Sequence, residues 1–296
     1  MTTSPRCLEC VVNVSEGRDE SVLAMLSASA GPALLDLHRD PHHHRTVLTL
    51  AGGPDDVAGA ARSLARATVD RLDLRAHDGV HPRLGVLDVV PFVPYEPGHA
   101  APGDLTAAVA HRDAFAQWLA DELGVPSFLY GPLPHGGNRT LPDIRRRAFR
   151  PTRGLAPDFG PARPDARTGA TAVGARRVLV AYNVWVSSLQ VARWVAATVR
   201  GPAVRALGLA VGERVQVSCN LVDPDAYGPE RLFDDVGALV AEAGGVVGGA
   251  ELVGLIPESV LAAISRSRWT ELGLGEWSTI EARLAAGPGA STPWGS

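Results

Sequence analysis

The sequence predicts an α/β (α+β) fold built on open sheets, and three features point there. Short β-branched runs alternate with longer amphipathic stretches along most of the chain. A segment rich in Pro, Gly, Asp and Arg, residues 151–169, divides that alternation into two blocks. Hydrophobic residues make up 46% of the 296, enough for sizeable cores in a chain the size of one large domain or two smaller ones.

The elements follow in order. Residues 9–14 (ECVVNV) are a β-branched run closed by the turn signal Ser15-Glu16-Gly17. Residues 19–30 place Val22, Leu23, Leu26 and Ala30 on one helical face. Residues 33–38 (ALLDLH) and 45–50 (RTVLTL) read as strands, the second alternating Val47 and Thr49 against Leu48 and Leu50. Pro54, Asp55 and Asp56 open a helix that runs to about residue 75. Gly79 and Pro82 disfavour a helix over 77–83, which becomes a loop feeding an apolar strand at 85–93. A helix over 104–123 stops at Gly124 as its C-cap. Residues 127–130 form a short strand, 138–148 a basic helix and 151–169 a long loop.

The second block reads as a strand at 177–186, a helix at 189–200, a strand at 214–222, a helix at 229–243, a strand at 250–256 and a short helix at 258–265. The residues from 287 onward are expected to form a mobile tail. The implied domains are an N-terminal subdomain over 5–175, a C-terminal subdomain over 176–268, and a C-terminal helix and flexible tail over 269–296.

Charge and composition exclude several classes of function. A net charge of −4 and a pI near 6.1 are wrong for a protein that coats nucleic acid. All 28 basic residues are Arg; a guanidinium binds carboxylates in pairs of hydrogen bonds, so Arg clusters suit anionic small molecules. Cys7, Cys10 and Cys219 are too few for a disulfide scaffold. There is no run of membrane-spanning length and no leader of basic residues followed by an apolar core, so the expected compartment is the cytoplasm, with no membrane partner. The glycine pairs at 244–245 and 248–249 follow a helix and precede a strand, the reverse of a dinucleotide fingerprint. No serine elbow occurs.

Histidines carry the remaining chemistry. His38, His42, His43 and His44 lie around one loop, and His77 and His81 in another. Imidazole and carboxylate together suit zinc or iron. The spacing of His77 and His81 makes a metal pair only on a helix, which Gly79 and Pro82 disfavour. His42 and His43 read as solvated loop residues. His81, at the mouth of a buried strand, suits proton transfer at neutral pH. Asp36, Asp40, Asp78 or Asp88 could orient its ring, and Arg45 and Arg83 could hold carboxylates.

Several segments, in order from about residue 7 to 265, resemble the formiminotransferase domain of the formiminotransferase-cyclodeaminase family. They include Glu9-Cys10-Val11-Val12-Asn13-Val14-Ser15-Glu16-Gly17, Leu34-Leu35-Asp36, Arg45-Thr46-Val47 and the run from His81-Pro82-Arg83-Leu84-Gly85 to Phe92-Val93-Pro94. Tyr130-Gly131, Arg139-Thr140-Leu141-Pro142, the run from Ala156 to Pro161, the run from Gly169 to Arg176, Val217-Ser218-Cys219-Asn220-Leu221 and the run from Glu251 to Pro257 complete the set. No cyclodeaminase region is expected.

The resemblance implies two α/β subdomains flanking a ligand cleft, a homodimer, and a place in one-carbon and histidine metabolism. It implies transfer of a formimino group from N-formimino-L-glutamate to N5 of tetrahydrofolate, the co-substrate, with no metal. The family's catalytic histidine falls on His81. Its folate-contacting loop falls on Gly160, Pro161, Ala162, Arg163, Pro164, Asp165, Ala166, Arg167, Thr168 and Gly169. Asp36, His38, Arg45 and Arg83 become candidate substrate-binding residues.

Three positions depart from the family pattern. Val80 stands where Glu is usual, His44 where Asn is frequent, and His38 where animal members carry an acid. These leave the formimino or formyl donor open. They also leave two other readings: a metal-dependent hydrolase of a formimino or amide bond, and a folate-binding homologue without catalysis.

Overall fold

The computed structural model describes residues 7–79, 83–97, 104–148 and 154–287. The chain divides into two compact units, with a boundary after Arg177. The structure is mixed α/β with two open sheets and helices packed on them, as the sequence predicts.

The first unit holds seven strands: β1 (Cys7–Val14), β2 (Leu34–Asp40), β3 (Arg45–Gly52), β4 (Leu87–Tyr95), β5 (Ser127–Pro132), β6 (Asn138–Arg139) and β7 (Thr171–Ala175). They lie in the order β2-β3-β1-β4-β7-β5-β6. Antiparallel pairing runs from β2 through β4, and β7 is parallel to both β4 and β5. The central strand β4 is buried along its whole length, which is why its sequence is an almost unbroken apolar run.

Helices α1 (Glu20–Ala30), α2 (Pro54–Arg71) and α3 (Thr106–Leu123) share one core with one face of this sheet. Leu8, Cys10, Val12 and Val14 of β1 and Leu48 and Leu50 of β3 point into that core, against Leu26, Leu64 and Phe115 of the helices. The helices begin and end where their sequences dictate. Asp19 caps α1 by accepting the Ser21 and Val22 N–H groups. Gly124 closes α3 in the left-handed conformation, at φ 63°.

Alternation puts the remaining strand residues on the opposite face. The register aligns Asn13 with Val47, Val47 with His38, and Arg45 with Asp40. Asp36, His38 and Asp40 of β2, Arg45 and Thr49 of β3, and Glu9 and Asn13 of β1 thus share a polar face. A short helix, α4 (Leu141–Arg147), places Ile144 in a small second cluster with Val89, Phe128 and Tyr130 on that face. A capping box between Thr140 and Asp143 starts α4.

The second unit carries β8 (Val180–Val186), β9 (Val204–Val211), β10 (Arg214–Leu221) and β11 (Val247–Val253), in the antiparallel order β11-β8-β10-β9. Helices α5 (Leu189–Val199) and α6 (Pro229–Glu242) bury Val195, Leu232 and Val236 against Tyr182, Val184, Val217 and Leu221. Short helices α7 (Glu258–Ala262) and α8 (Ile280–Ala286) follow.

Several elements differ from expectation. Residues 138–148 hold a two-residue strand and a shorter helix instead of one helix, because Pro142 can enter a helix only in its first turn. The helix expected to run to residue 75 stops at Arg71 and is followed by a 3-10 turn at Leu74–Ala76. Strands β7 and β9 add to the expected set. Among the described residues no helix is long and apolar enough to cross a membrane.

Candidate active site

Four segments meet at one end of the seven-stranded sheet. They are the β1–α1 turn, the β2–β3 turn, the chain leading into β4 and the chain leading into β7. Antiparallel pairing brings them together: β1 and β2 end where β3 and β4 begin. Backbone bonds stitch the last two segments together. Val86 N–H donates to Thr168 O at 2.9 Å, Ala170 N–H to Leu84 O at 3.0 Å, and Leu74 N–H to Arg167 O at 2.7 Å. Gly85 sits so close that an added Cβ would stand 2.5 Å from both the Thr168 and Ala170 carbonyl oxygens. Ser15 ties in the β1–α1 turn, donating from its N–H to Val86 O at 2.8 Å and from Oγ to Gly85 O at 2.9 Å.

A bulge places the site's buried acid. Asn13 pairs with Val89 and Val14 with Leu87, which leaves Asp88 as the extra residue of β4. Asp88 is 1% exposed. Its Oδ1 accepts the Leu84 N–H at 2.8 Å, and its Oδ2 accepts from Arg145 Nη2 at 2.7 Å. Arg45 donates to Asn13 Oδ1. Burial lowers the Arg45 guanidinium to about 10, with Arg145 and Arg83 adding to the fall and Asp88 and Asp40 opposing it. It stays charged at neutral pH. Arg83 is lowered first by burial and then by Arg145, against Asp88. Three guanidinium groups thus share the field of the buried Asp88 carboxylate, and Asp40 also acts on Arg45; guanidinium groups gathered in this way suit an anion.

The histidines are sorted by their partners. His43 is 9% exposed, and its Nδ1 contacts the Asp40 carboxylate. The expected solvated role therefore fails for His43 and holds for exposed His42. His44 adopts φ 49°, the one non-glycine residue with positive φ among those described. Asn and His tolerate this left-handed conformation better than most residues, so His44 suits a position where the resembled family often has Asn. Burial, together with Arg18 and Arg83, lowers the His44 imidazole below its usual range, against Glu16 and Asp78. Glu16 Oε1 accepts the N–H groups of Gly17, Arg18 and Asp19 at 2.8, 2.7 and 3.0 Å, and lies 3.6 Å from His44 Nδ1. The His77 ring packs against His44 at a tilt of 37°, with ring centroids 4.1 Å apart.

The expected site residues are partly gathered. Arg45 and Arg83 feel the same charges, and Thr168 and Gly169 lie against Leu84 and Gly85, next to Arg83. Asp36 and His38 lie on the same sheet face as Arg45. The other end of the Gly160–Gly169 segment is further off, with Gly160 against Ala120 and Pro126. Arg163 is exposed and has no partner among the described residues. Arg167 reaches back to the Asp70 carbonyl at 3.4 Å. His81 and Val80 lie outside the described residues, flanked by Gly79 and Arg83.

The sequence reading missed Arg145, Glu16 and Asn13. Arg145, Arg146 and Arg147 are indistinguishable in sequence, but helical rotation turns only Arg145 toward Asp88. Among the described residues, no three His, Cys, Asp or Glu side chains converge as metal ligands. Cys10 and Cys219 are buried free thiols and Cys7 is half-buried. Burial raises the Cys219 thiol to about 12.

Comparison with known proteins gives the class. Residues 7–176 match the formiminotransferase domain, N-terminal subdomain. The chain is 35% identical over 279 residues to formimidoyltransferase-cyclodeaminase of Sus scrofa, covering 86% of this chain and 51% of that protein. It thus spans about half the length of such relatives. It is 33% identical over 282 residues to glutamate formimidoyltransferase of Streptococcus pyogenes serotype M1, covering 88% of this chain and 92% of that one. With glutamate formimidoyltransferase of Thermoplasma acidophilum it shares 29% identity over 299 residues, covering 94% and 97%. Fold and relatives together define a mixed α/β protein with a formiminotransferase N-terminal subdomain. The chain belongs to the formiminotransferase family.

Proposed function

We propose that this enzyme transfers a formimino group from N-formimino-L-glutamate, or a related formimino or formyl donor, to N5 of tetrahydrofolate. The observation that carries the reading is the match of residues 7–176 to the family domain, supported by full-length bacterial and archaeal relatives named glutamate formimidoyltransferase. In this reading N5 attacks the formimino carbon and the bond from that carbon to the glutamate nitrogen breaks. His81 takes the proton from N5 and returns it to the departing amine, a role worth about 10²–10⁴ in rate.

The geometry of the first unit supports this chemistry. Both substrates carry carboxylates, and Arg45, Arg83 and Arg145 gather around the buried Asp88. We assign Arg45 to a substrate carboxylate, with Asp36 and His38 on the same face contacting the polar part of the donor. Arg83 adds positive charge beside them. The Gly160–Gly169 loop is assigned to the folate, with exposed Arg163 for its carboxylate tail and Thr168–Gly169 fixed to the chain that enters β4. The enzyme is further proposed to work in the cytoplasm as a homodimer, which light scattering would test.

Calorimetric titration with tetrahydrofolate, followed by a donor screen, tests the assignment. Saturable binding that weakens in Arg163→Ala is expected. Absence of binding by the folded protein would contradict it.

A further inference from the structure

His77 is held at both ring nitrogens by backbone groups, and this fixes its protonation. Nε2 lies 2.8 Å from the His44 carbonyl oxygen, which can only accept, so Nε2 carries a proton. Nδ1 lies 3.0 Å from the Gly79 nitrogen and accepts its N–H, so Nδ1 carries none. The ring is therefore neutral. Arg83 Nη1 lies against the same ring, closer to Nδ1 than to Nε2; a guanidinium can only donate, so its hydrogen bond also goes to the bare Nδ1.

Gly79 is fixed in three ways. Its N–H is held by His77, and its carbonyl accepts from Arg83 Nη2 at 2.8 Å. It also packs so tightly on the β2–β3 turn that an added Cβ would stand 2.5 Å from the His43 carbonyl oxygen and 2.8 Å from His44 Cβ. The left-handed backbone of His44 belongs to this turn, whose carbonyl receives the His77 proton.

We propose that neutral His77 is a positioning residue that docks Gly79 onto the His43–His44 turn and so sets the point from which the chain runs on to His81. The proposal rests on His81 as the proton carrier. Protonation would place a second N–H against the Gly79 N–H and break the dock. Among the described residues, His77 itself meets Arg83 on its own loop and His44 on the β2–β3 turn, and the charges acting on that neighbouring His44 ring are Glu16 and Arg18 on the β1–α1 turn, with Asp78 and Arg83. Arg18 is paired with Asp78 at 2.7 Å, and Glu16 stands behind His44. A charged His77 would then meet Arg83 directly, while Asp78 is already engaged.

His77→Ala should lower kcat by about 10²-fold through misplacement, with KM little changed. His77→Asn should restore most of it, because an Asn Oδ1 accepts the N–H two residues on. Lacking a titrating ring, His77→Asn should also hold its kcat to lower pH than wild type. Wild-type kcat and pH profile in His77→Ala would overturn the proposal. Nitrogen-15 spectra of the imidazole test it without turnover: Nε2 protonated and Nδ1 bare at neutral pH, with the Gly79 amide protected in wild type and exchanging in His77→Ala. An imidazolium or an Nδ1–H tautomer would overturn the dock. If His81→Ala is as active as wild type, the catalytic reading has failed instead, and the spectra decide the dock alone.

Discussion

Arg145 Nη2 donates to Asp88 Oδ2 at 2.7 Å, across from α4 to the bulge of β4. The pair lies in the midst of two further arginines, Arg45 and Arg83, that Asp88 also stabilises. Removing the carboxylate takes from these partly buried cations a charge that offsets their burial. Asp88→Ala should cost about 3–5 kcal/mol of stability, read as a lower urea midpoint with unchanged slope. Asp88→Ala with the wild-type midpoint would show that the arginines do not depend on it.

Arg45 is assigned to substrate binding, so its loss should appear in KM. A hydrogen bond to a charged group contributes about 1.5–3 kcal/mol, so Arg45→Gln should raise the donor's KM by roughly 10- to 10²-fold. A fall in kcat with unchanged KM would place Arg45 outside the binding contacts.

His44 separates backbone from side-chain requirements. Its φ of 49° suits Asn and strains a β-branched residue by about 1–2 kcal/mol. His44→Val should therefore unfold at lower urea than His44→Asn, by a difference of that size. Equal midpoints would show that the turn can relax.

Asp40 supplies a pH-dependent contribution. Burial alone would raise its carboxyl, but the His43 ring and the His42 and His43 N–H groups hold it at about 2. The folded value lies below the unfolded one of about 3.9. Its stabilisation is therefore complete above pH ~4 and is lost as pH falls through about 2. Asp40→Asn should flatten the acid limb of stability in that window. An unchanged acid limb would contradict the assignment.

The sequence made some elements legible and hid others for physical reasons. β1, β3, α1 and α3 announce themselves through alternation, period and caps at Asp19 and Gly124. β7 (TAVGA) is wholly buried and made of small residues, so it shows neither alternation nor bulk. β9 carries exposed Leu207 among its outward residues, which blurs its period. The Gly212-Glu213 hairpin turn after it was the available signal. At the site, His44, Arg45 and Arg83 stood out by residue type. Glu16 and Arg145 did not, because what selects them is a left-handed turn and a strand bulge that only the folded backbone displays.

The most direct measurement supplies purified enzyme with tetrahydrofolate and N-formimino-L-glutamate and follows the folate product by mass. The enzyme should yield 5-formimino-tetrahydrofolate and free glutamate in equal amounts, with His81→Ala slower by about 10²–10⁴-fold. A folded wild-type protein that forms no folate product with this donor or with its formyl analogue would contradict the proposed transfer.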